Sequence, residues 1–265
     1  MSTHPAMKKS LEAFDRLLNI MDELREKCPW DREQTIESIR NLTIEETYEL
    51  ADAIIEGDMQ GVKKELGDIL LHIVFYSKIA SETNLFDITD VINQLCDKLV
   101  YRHPHVFGET QVNSATDVIK NWETIKMSEK EGNKTVLSGV PSSLSSLIKA
   151  NRIQEKVRAV GFDWEERSQV WDKVNEELNE LKSEIDNHNQ ERIEAEFGDL
   201  LFSVVNAARL YNIDPETALE RTNKKFMKRF AFLEQKTIKQ GRSLKTMSLD
   251  EMNEIWEQAK EFDKQ

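Results

Sequence analysis

Five acidic residues occur twice in this chain with the same internal spacing. Glu45, Glu46 and Glu49 sit in EETYEL (45–50), followed by Glu65 and Asp68 in ELGDILLHIVFYSKIA (65–80). Glu176, Glu177 and Glu180 sit in EELNEL (176–181), followed by Glu196 and Asp199 in EFGDLLFSVVNAARLY (196–211), each 131 residues after its counterpart. Residues three apart share one face of a helix, so Glu46/Glu49, Glu65/Asp68, Glu177/Glu180 and Glu196/Asp199 each form a neighbouring pair. If the two helices of a copy fold back on each other, four or more carboxylates converge. Like charges in a shared site repel and raise one another's pKa, so convergence calls for a counter-charge. A hard cation with all-oxygen ligands supplies it, and Mg²⁺ is the natural occupant, with Mn²⁺ as a substitute. Mg²⁺ keeps several waters and shares its remaining positions with phosphate oxygens, which is what a nucleotide-hydrolysing site requires. A lone ExxE among 49 acidic residues is ordinarily solvated surface. Recurrence at fixed spacing, beside strongly apolar segments, sets these ten apart.

Cations follow in the same order in both copies. Lys98 and Arg102 (KLVYR) and Lys225 and Arg229 (KFMKR) are four apart, on one helical face, and are suited to holding phosphates near a metal. Trp122 with Lys126 and Trp256 with Lys260 form another matched pair. An indole there either stacks on a base or anchors a core, with the lysine as a phosphate contact. Trp30 and Trp164 lie in turn-like segments beside Asp31 and Asp163 and read as packing residues. His72 is replaced by Ser203 in the second copy, so a shared site does not use it, and His103 and His105 flank a helix-ending Pro104.

The elements that must position these groups are helices. Val174, Leu178, Leu181 and Ile185 recur at three- and four-residue steps, as do Phe197, Leu200, Leu201, Val204 and Val205. Breaks at Glu56-Gly57-Asp58 and around Asn187-His188-Asn189 predict a helical hairpin in each copy. The stretch 131–146 is rich in Gly, Ser and Pro and reads as a linker, dividing the chain into domains 1–137 and 138–265. An all-α fold of tandem duplicated helical bundles is expected, with few breakers (9 Gly, 5 Pro) to favour anything else.

A net charge of −13 and the lack of a basic stripe argue against a nucleic-acid polymer as partner. No apolar run spans a membrane, and two cysteines are too few for a disulfide framework and fit a reducing cytoplasm. No phosphate-binding glycine loop, dinucleotide fingerprint or nucleophile elbow is present. A carboxylate-bridged di-iron bundle normally uses Glu-x-x-His, whereas the fourth position here is Glu or Asp. A non-catalytic helical module that senses nucleotides or binds a partner is the alternative to an enzyme.

With these residues in view, the chain resembles the MazG family of nucleoside triphosphate pyrophosphohydrolases. The likeness rests on EExxE…ExxD, present twice, and on the CPWD and RHPHVF segments of the first copy. It implies an all-α fold related to dimeric dUTPases and phosphoribosyl-ATP pyrophosphohydrolases, completed by homodimerisation. It also implies Mg²⁺-dependent cleavage of NTPs and dNTPs between the α- and β-phosphates, in a broad housecleaning role. By position, the resemblance implies Glu177, Glu180, Glu196 and Asp199 as metal ligands, with Glu46, Glu49, Glu65 and Asp68 as the retained set of the first copy. It implies that Lys225, Arg229, Trp256 and Lys260 contact the nucleotide, with Lys173 to Glu176 lining its approach, and that the second copy is the principal catalyst. Glu176, or Glu45 in the first copy, is placed to orient or deprotonate the attacking water, beside Glu177 and Glu180.

Overall fold

The computed structural model describes residues 5–112, 114, 117–118, 121, 125, 135–164, 166–239 and 241–261, and they divide into two compact units, Met1–Val112 and Asn113–Gln265. Few positions between 113 and 134 are among them, and we retain residue 138 as the proposed domain boundary. The described residues form helices and no strand. None of these helices is long and apolar enough to cross a membrane.

In the first unit, α1 (Pro5–Lys27) and the short α2 (Pro29–Glu33) lead into the hairpin of α3 (Ile36–Glu56) and α4 (Met59–Glu82). The unit continues with α5 (Ile88–Arg102) and α6 (Pro104–Phe107). Thr35 starts α3 by accepting from the Ser38 amide while Ser38 accepts from the Thr35 amide, which satisfies two N–H groups that a helix start leaves orphaned. Gly57 ends α3 at φ 71°, its N–H bonded to the Ala53 and Ile54 carbonyls, and Asp58 then caps α4 through the Gln60 amide. Met21, Ile39, Val74 and Phe75, from α1, α3 and α4, form the buried core, with Leu17, Leu71 and Ile88 packed around it. That core holds the two acid-bearing helices in register.

The second unit repeats the scheme. The helix α7 (Ser146–Ala159) packs on α9 (Gln190–Leu210), which forms a hairpin with α8 (Gln169–Asp186). Asn189 caps α9 through the Arg192 amide. The turn before it uses His188 at φ 56° where the first copy uses a glycine. The residues Asn84 and Asn212, which follow α4 and α9, share a left-handed conformation at φ 55° and 57°. A long α10 (Pro215–Lys239) packs on α11 (Leu249–Lys260) around buried Leu233, Met247 and Ile255. Ser248 and Glu251 close a reciprocal cap at the start of α11.

The hairpin turn makes the first test. A Cβ in the left-handed region costs about 1–2 kcal/mol, so Gly57→Ala should lower stability by that amount in chemical denaturation. His188→Gly should be neutral or stabilising, because there the strain is already present.

Candidate metal and nucleotide site

Each hairpin gathers its acids at one place. In the second unit, Glu177, Glu196 and Asp199 each offer a carboxylate oxygen within 4.8 Å of the others, and Glu176, Glu177 and Glu180 do the same along α8. In the first unit, Glu46 and Glu49 of α3 and Glu65 of α4 form a comparable group. The inner members are buried: Glu177 and Glu65 are each 6 % exposed. Burial and the Glu180, Asp199, Glu177 and Glu184 carboxylates push the Glu196 carboxyl above its usual range. Burial, then Asp68, Glu49 and Glu65, do the same to Glu46. The repulsion anticipated from sequence is therefore present in both copies.

Within the two acid clusters, Glu65 Oε2 and Glu196 Oε2 are buried without a hydrogen-bond partner, and they occupy equivalent positions. Buried acceptors are nearly always satisfied, so a repeated orphan at the centre of a carboxylate cluster points to a ligand. All-oxygen, anionic donors fit a hard divalent cation.

A lysine partly offsets each cluster, but not the same lysine. In the second unit Lys173, on α8, places Nζ 2.8 Å from Glu176 and 2.7 Å from Glu177. These two contacts raise its pKa well above the ordinary lysine value. In the first unit Lys64, on α4, places Nζ 2.9 Å from Glu65, 3.7 Å from Glu49 and 3.8 Å from Asp68. The position equivalent to Lys64 in the second copy is Ala195, and that equivalent to Lys173 in the first is Leu42. Lys64 escaped the sequence reading; the contrast of KKELGD with EAEFGD was the available signal.

Beside the second acid cluster opens a cavity of about 540 Å³ between α7, α8 and α9, walled by Lys173, Glu177 and Asp199 at one side and by Val157, Trp164 and Phe202 elsewhere. Asp163 and Arg209 also line it and are paired through two hydrogen bonds, Nη1 to Oδ2 at 3.1 Å and Nη2 to Oδ1. Burial pushes Asp163 up, but the Arg209 bonds and charge prevail and hold it below its usual range. Trp164, read from sequence as packing, thus borders the cavity, and Arg209 carried no visible signal because its role depends on a contact 46 residues away.

The expected nucleotide cations gather elsewhere in the second unit. The Arg229 guanidinium lies 5.6 Å from the Trp256 ring centroid, and Phe226 lies 4.9 Å from it, forming a cluster between α10 and α11. Lys260 pairs with Glu257, and Lys225 is exposed on α10. None of Lys225, Arg229, Trp256 and Lys260 borders the cavity. In the first unit Lys98 is exposed and Arg102 half-buried on α5. Trp122 and Lys126 lie outside the described residues.

Comparison with known proteins agrees with this arrangement of acids. Residues 34–107 and 166–231, the two acid-bearing segments, match the MazG nucleotide pyrophosphohydrolase domain. The chain is 45 % identical over 257 residues to a Thermotoga maritima protein named nucleoside triphosphate pyrophosphohydrolase/pyrophosphatase MazG, covering 96 % of this chain and 98 % of that one. It is 40 % identical over 257 residues to the Escherichia coli nucleoside triphosphate pyrophosphohydrolase, covering 94 % and 98 %. A Mycobacterium tuberculosis protein of the same name is 34 % identical over 176 residues, covering 60 % of this chain and 54 % of that protein. With both acid hairpins inside the matched segments and near full-length similarity to two such relatives, the chain belongs to the MazG nucleotide pyrophosphohydrolase family.

Proposed function

We propose that this protein hydrolyses nucleoside triphosphates, ribo and deoxy, to the monophosphate and pyrophosphate, with Mg²⁺ as cofactor and Mn²⁺ as a substitute. One observation carries the reading: the acid cluster of the second hairpin, with its orphaned Glu196 Oε2, borders a cavity large enough for a nucleoside. Glu177, Glu180, Glu196 and Asp199 would hold the cation. When bound, it supplies Lewis acidity toward phosphate oxygens and a field that favours hydroxide over water. Glu176, exposed at the rim and paired with Lys173, is placed to orient the attacking water and take its proton. Lys173 contacts the ligand Glu177 as well as Glu176, and with Glu177 engaged by a metal its ammonium would be available to phosphate oxygens. Lys225, Arg229 and Lys260, which stand off the cavity wall, would steady the charge on the departing pyrophosphate where the triphosphate extends beyond that wall.

The second copy is the principal catalyst in this reading. Its acid cluster borders the cavity, whereas in the first copy the buried Met21 and Phe75 stand at the positions of the cavity-lining Gln154 and Asn206. A homodimer is supported by two matched apolar stripes, Leu66, Leu70 and Ile73 on α4 and Phe197, Leu201 and Val204 on α9, which stay between 39 % and 59 % exposed within their own units. We further place the enzyme in the cytoplasm, clearing surplus or damaged nucleotides.

Incubation with a nucleotide panel, with and without Mg²⁺, should yield monophosphate and pyrophosphate only with the metal. Diphosphate and phosphate would show a different cleavage point, and binding without products would favour a sensing module. Glu196→Gln should lower turnover about 100-fold or more, because several kcal/mol of charge stabilisation depends on the ligand set. Glu65→Gln should change it far less. Because Glu196 and Glu46 sit above the usual carboxyl range, protons compete with the cation sooner on acidification than they would at ordinary glutamates. Calorimetric titration with Mn²⁺ should therefore show affinity falling as the pH drops through those raised values, and flat affinity down to ordinary glutamate pKa would contradict the cluster's electrostatics. Light scattering should return twice the chain mass, and Leu201→Glu should reduce it to one chain.

A further inference from the structure

The cavity beside the second acid cluster is mostly apolar, yet two amides stand in its wall: Gln154 on α7 and Asn206 on α9. Gln154 is 4 % exposed, and its Nε2 donates to the Phe202 carbonyl at 2.8 Å. Only the amide nitrogen can serve that carbonyl, so the orientation of the group is settled, and Oε1 is left facing away with no donor. Asn206 is oriented as firmly. Its Oδ1 accepts from Arg209 Nε at 3.0 Å and from Nη2 at 2.7 Å, while Asp163 holds the far side of the same guanidinium. The Asn206 nitrogen is therefore turned away from Arg209 as a donor. Phe202, which receives the Gln154 bond, lies one turn before Asn206 on α9, so an acceptor and a donor of fixed orientation are both anchored to that stretch of the wall.

The fold does not require this polarity. The first copy builds the same hairpin with Phe75 where the second has Asn206 and His72 where it has Ser203, both at the 131-residue offset of the acids. Met21 takes the place of Gln154, in the register set by Ile20 with Ile153 and Arg25 with Arg158. Met21 and Phe75 are 1 % and 3 % exposed, within the first core. Where the first copy packs a core, the second keeps an open volume with an unsatisfied acceptor in it.

We propose that Gln154 and Asn206 are the base-reading residues of the second site: Gln154 Oε1 accepts from a ring or exocyclic N–H of the nucleobase, and Asn206 Nδ2 donates to the adjacent ring nitrogen or carbonyl oxygen. This rests on the hydrolase reading above and deepens it. An acceptor next to a donor matches a donor–acceptor neighbour pair on the Watson–Crick edge of every standard base: N6 and N1 of adenine, N4 and N3 of cytosine, N3 and O4 of uracil, N1 and O6 of guanine. The wild-type site is accordingly tolerant among the four bases, and it recognises an edge rather than a single base. Trp164 and Phe202 supply the flat apolar surfaces beside it.

Asn206→Asp is the decisive variant. It keeps the shape and the oxygen that Arg209 needs, and replaces the donor with a second acceptor. Two neighbouring acceptors match only guanine, whose N1–H and N2–H₂ are adjacent donors. The expected result is a rise of about tenfold in kcat/KM for GTP relative to ATP, CTP and UTP, carried by KM with kcat nearly unchanged. Gln154→Met, which imports the residue of the first copy, should raise KM for all four while leaving the thermal midpoint at or above wild type, since it removes a buried unsatisfied acceptor. Unaltered base ratios in Asn206→Asp, or an equal loss against all four nucleotides, would overturn the assignment and leave the amides as structural groups. Absence of hydrolysis by the wild-type protein would instead overturn the hydrolase reading, so the two failures are distinguishable.

Discussion

Carboxylates forced together by a helical hairpin repel one another, and most of what distinguishes this molecule follows from how that repulsion is met. Ten acids in two sets of five stand on facing helices, the inner ones buried and the shared ones with raised pKa. Buried apolar residues on the same helices, Ile39, Val74 and Phe75 in the first hairpin and Val170, Leu181 and Val205 in the second, supply the driving force that keeps the sets closed against this cost. A neighbouring lysine relieves part of it, and the orphaned oxygens Glu65 Oε2 and Glu196 Oε2 mark what the lysine leaves undone.

The duplication shows which features the hairpin needs and which a site needs. A side-chain cap on the second hairpin helix (Asp58 and Asn189), a left-handed turn residue and an asparagine after that helix recur in both copies, and they are demands of the backbone. The acids also recur. What differs is the wall beyond them, packed with Met21 and Phe75 in one copy and open with Gln154 and Asn206 in the other. Divergence at a position that both copies can fold without is the clearest internal sign that the residue there answers to a ligand.

Much of this was legible in the sequence, because the informative residues are local. Helical periodicity and the breaks at Gly57 and His188 give the hairpins, and ExxE with ExxD gives the acid pairs without any tertiary knowledge. The remainder depends on contacts between segments far apart in the chain. Arg209 matters through Asp163, and Gln154 through Phe202, pairings that no spacing rule encodes. Lys64 was hidden for another reason: in a chain with 36 lysines and arginines, one lysine next to an acid looks like every other. The placement of Lys225, Arg229, Trp256 and Lys260 away from the cavity wall likewise turns on how α10 and α11 pack, which periodicity leaves open.

The two lysines come from opposite helices of equivalent hairpins, and this bears on how the protein is made. A cluster with a built-in ammonium can close while no divalent ion is at hand, so folding is uncoupled from metal supply. In the second copy a bound cation would take over the Glu177 contact of Lys173, and that ammonium, which lines the cavity, would then be a positive charge beside it of the sign that a triphosphate seeks. In the first copy the same exchange would free Lys64, in a unit where the buried Met21 and Phe75 stand at the positions of Gln154 and Asn206.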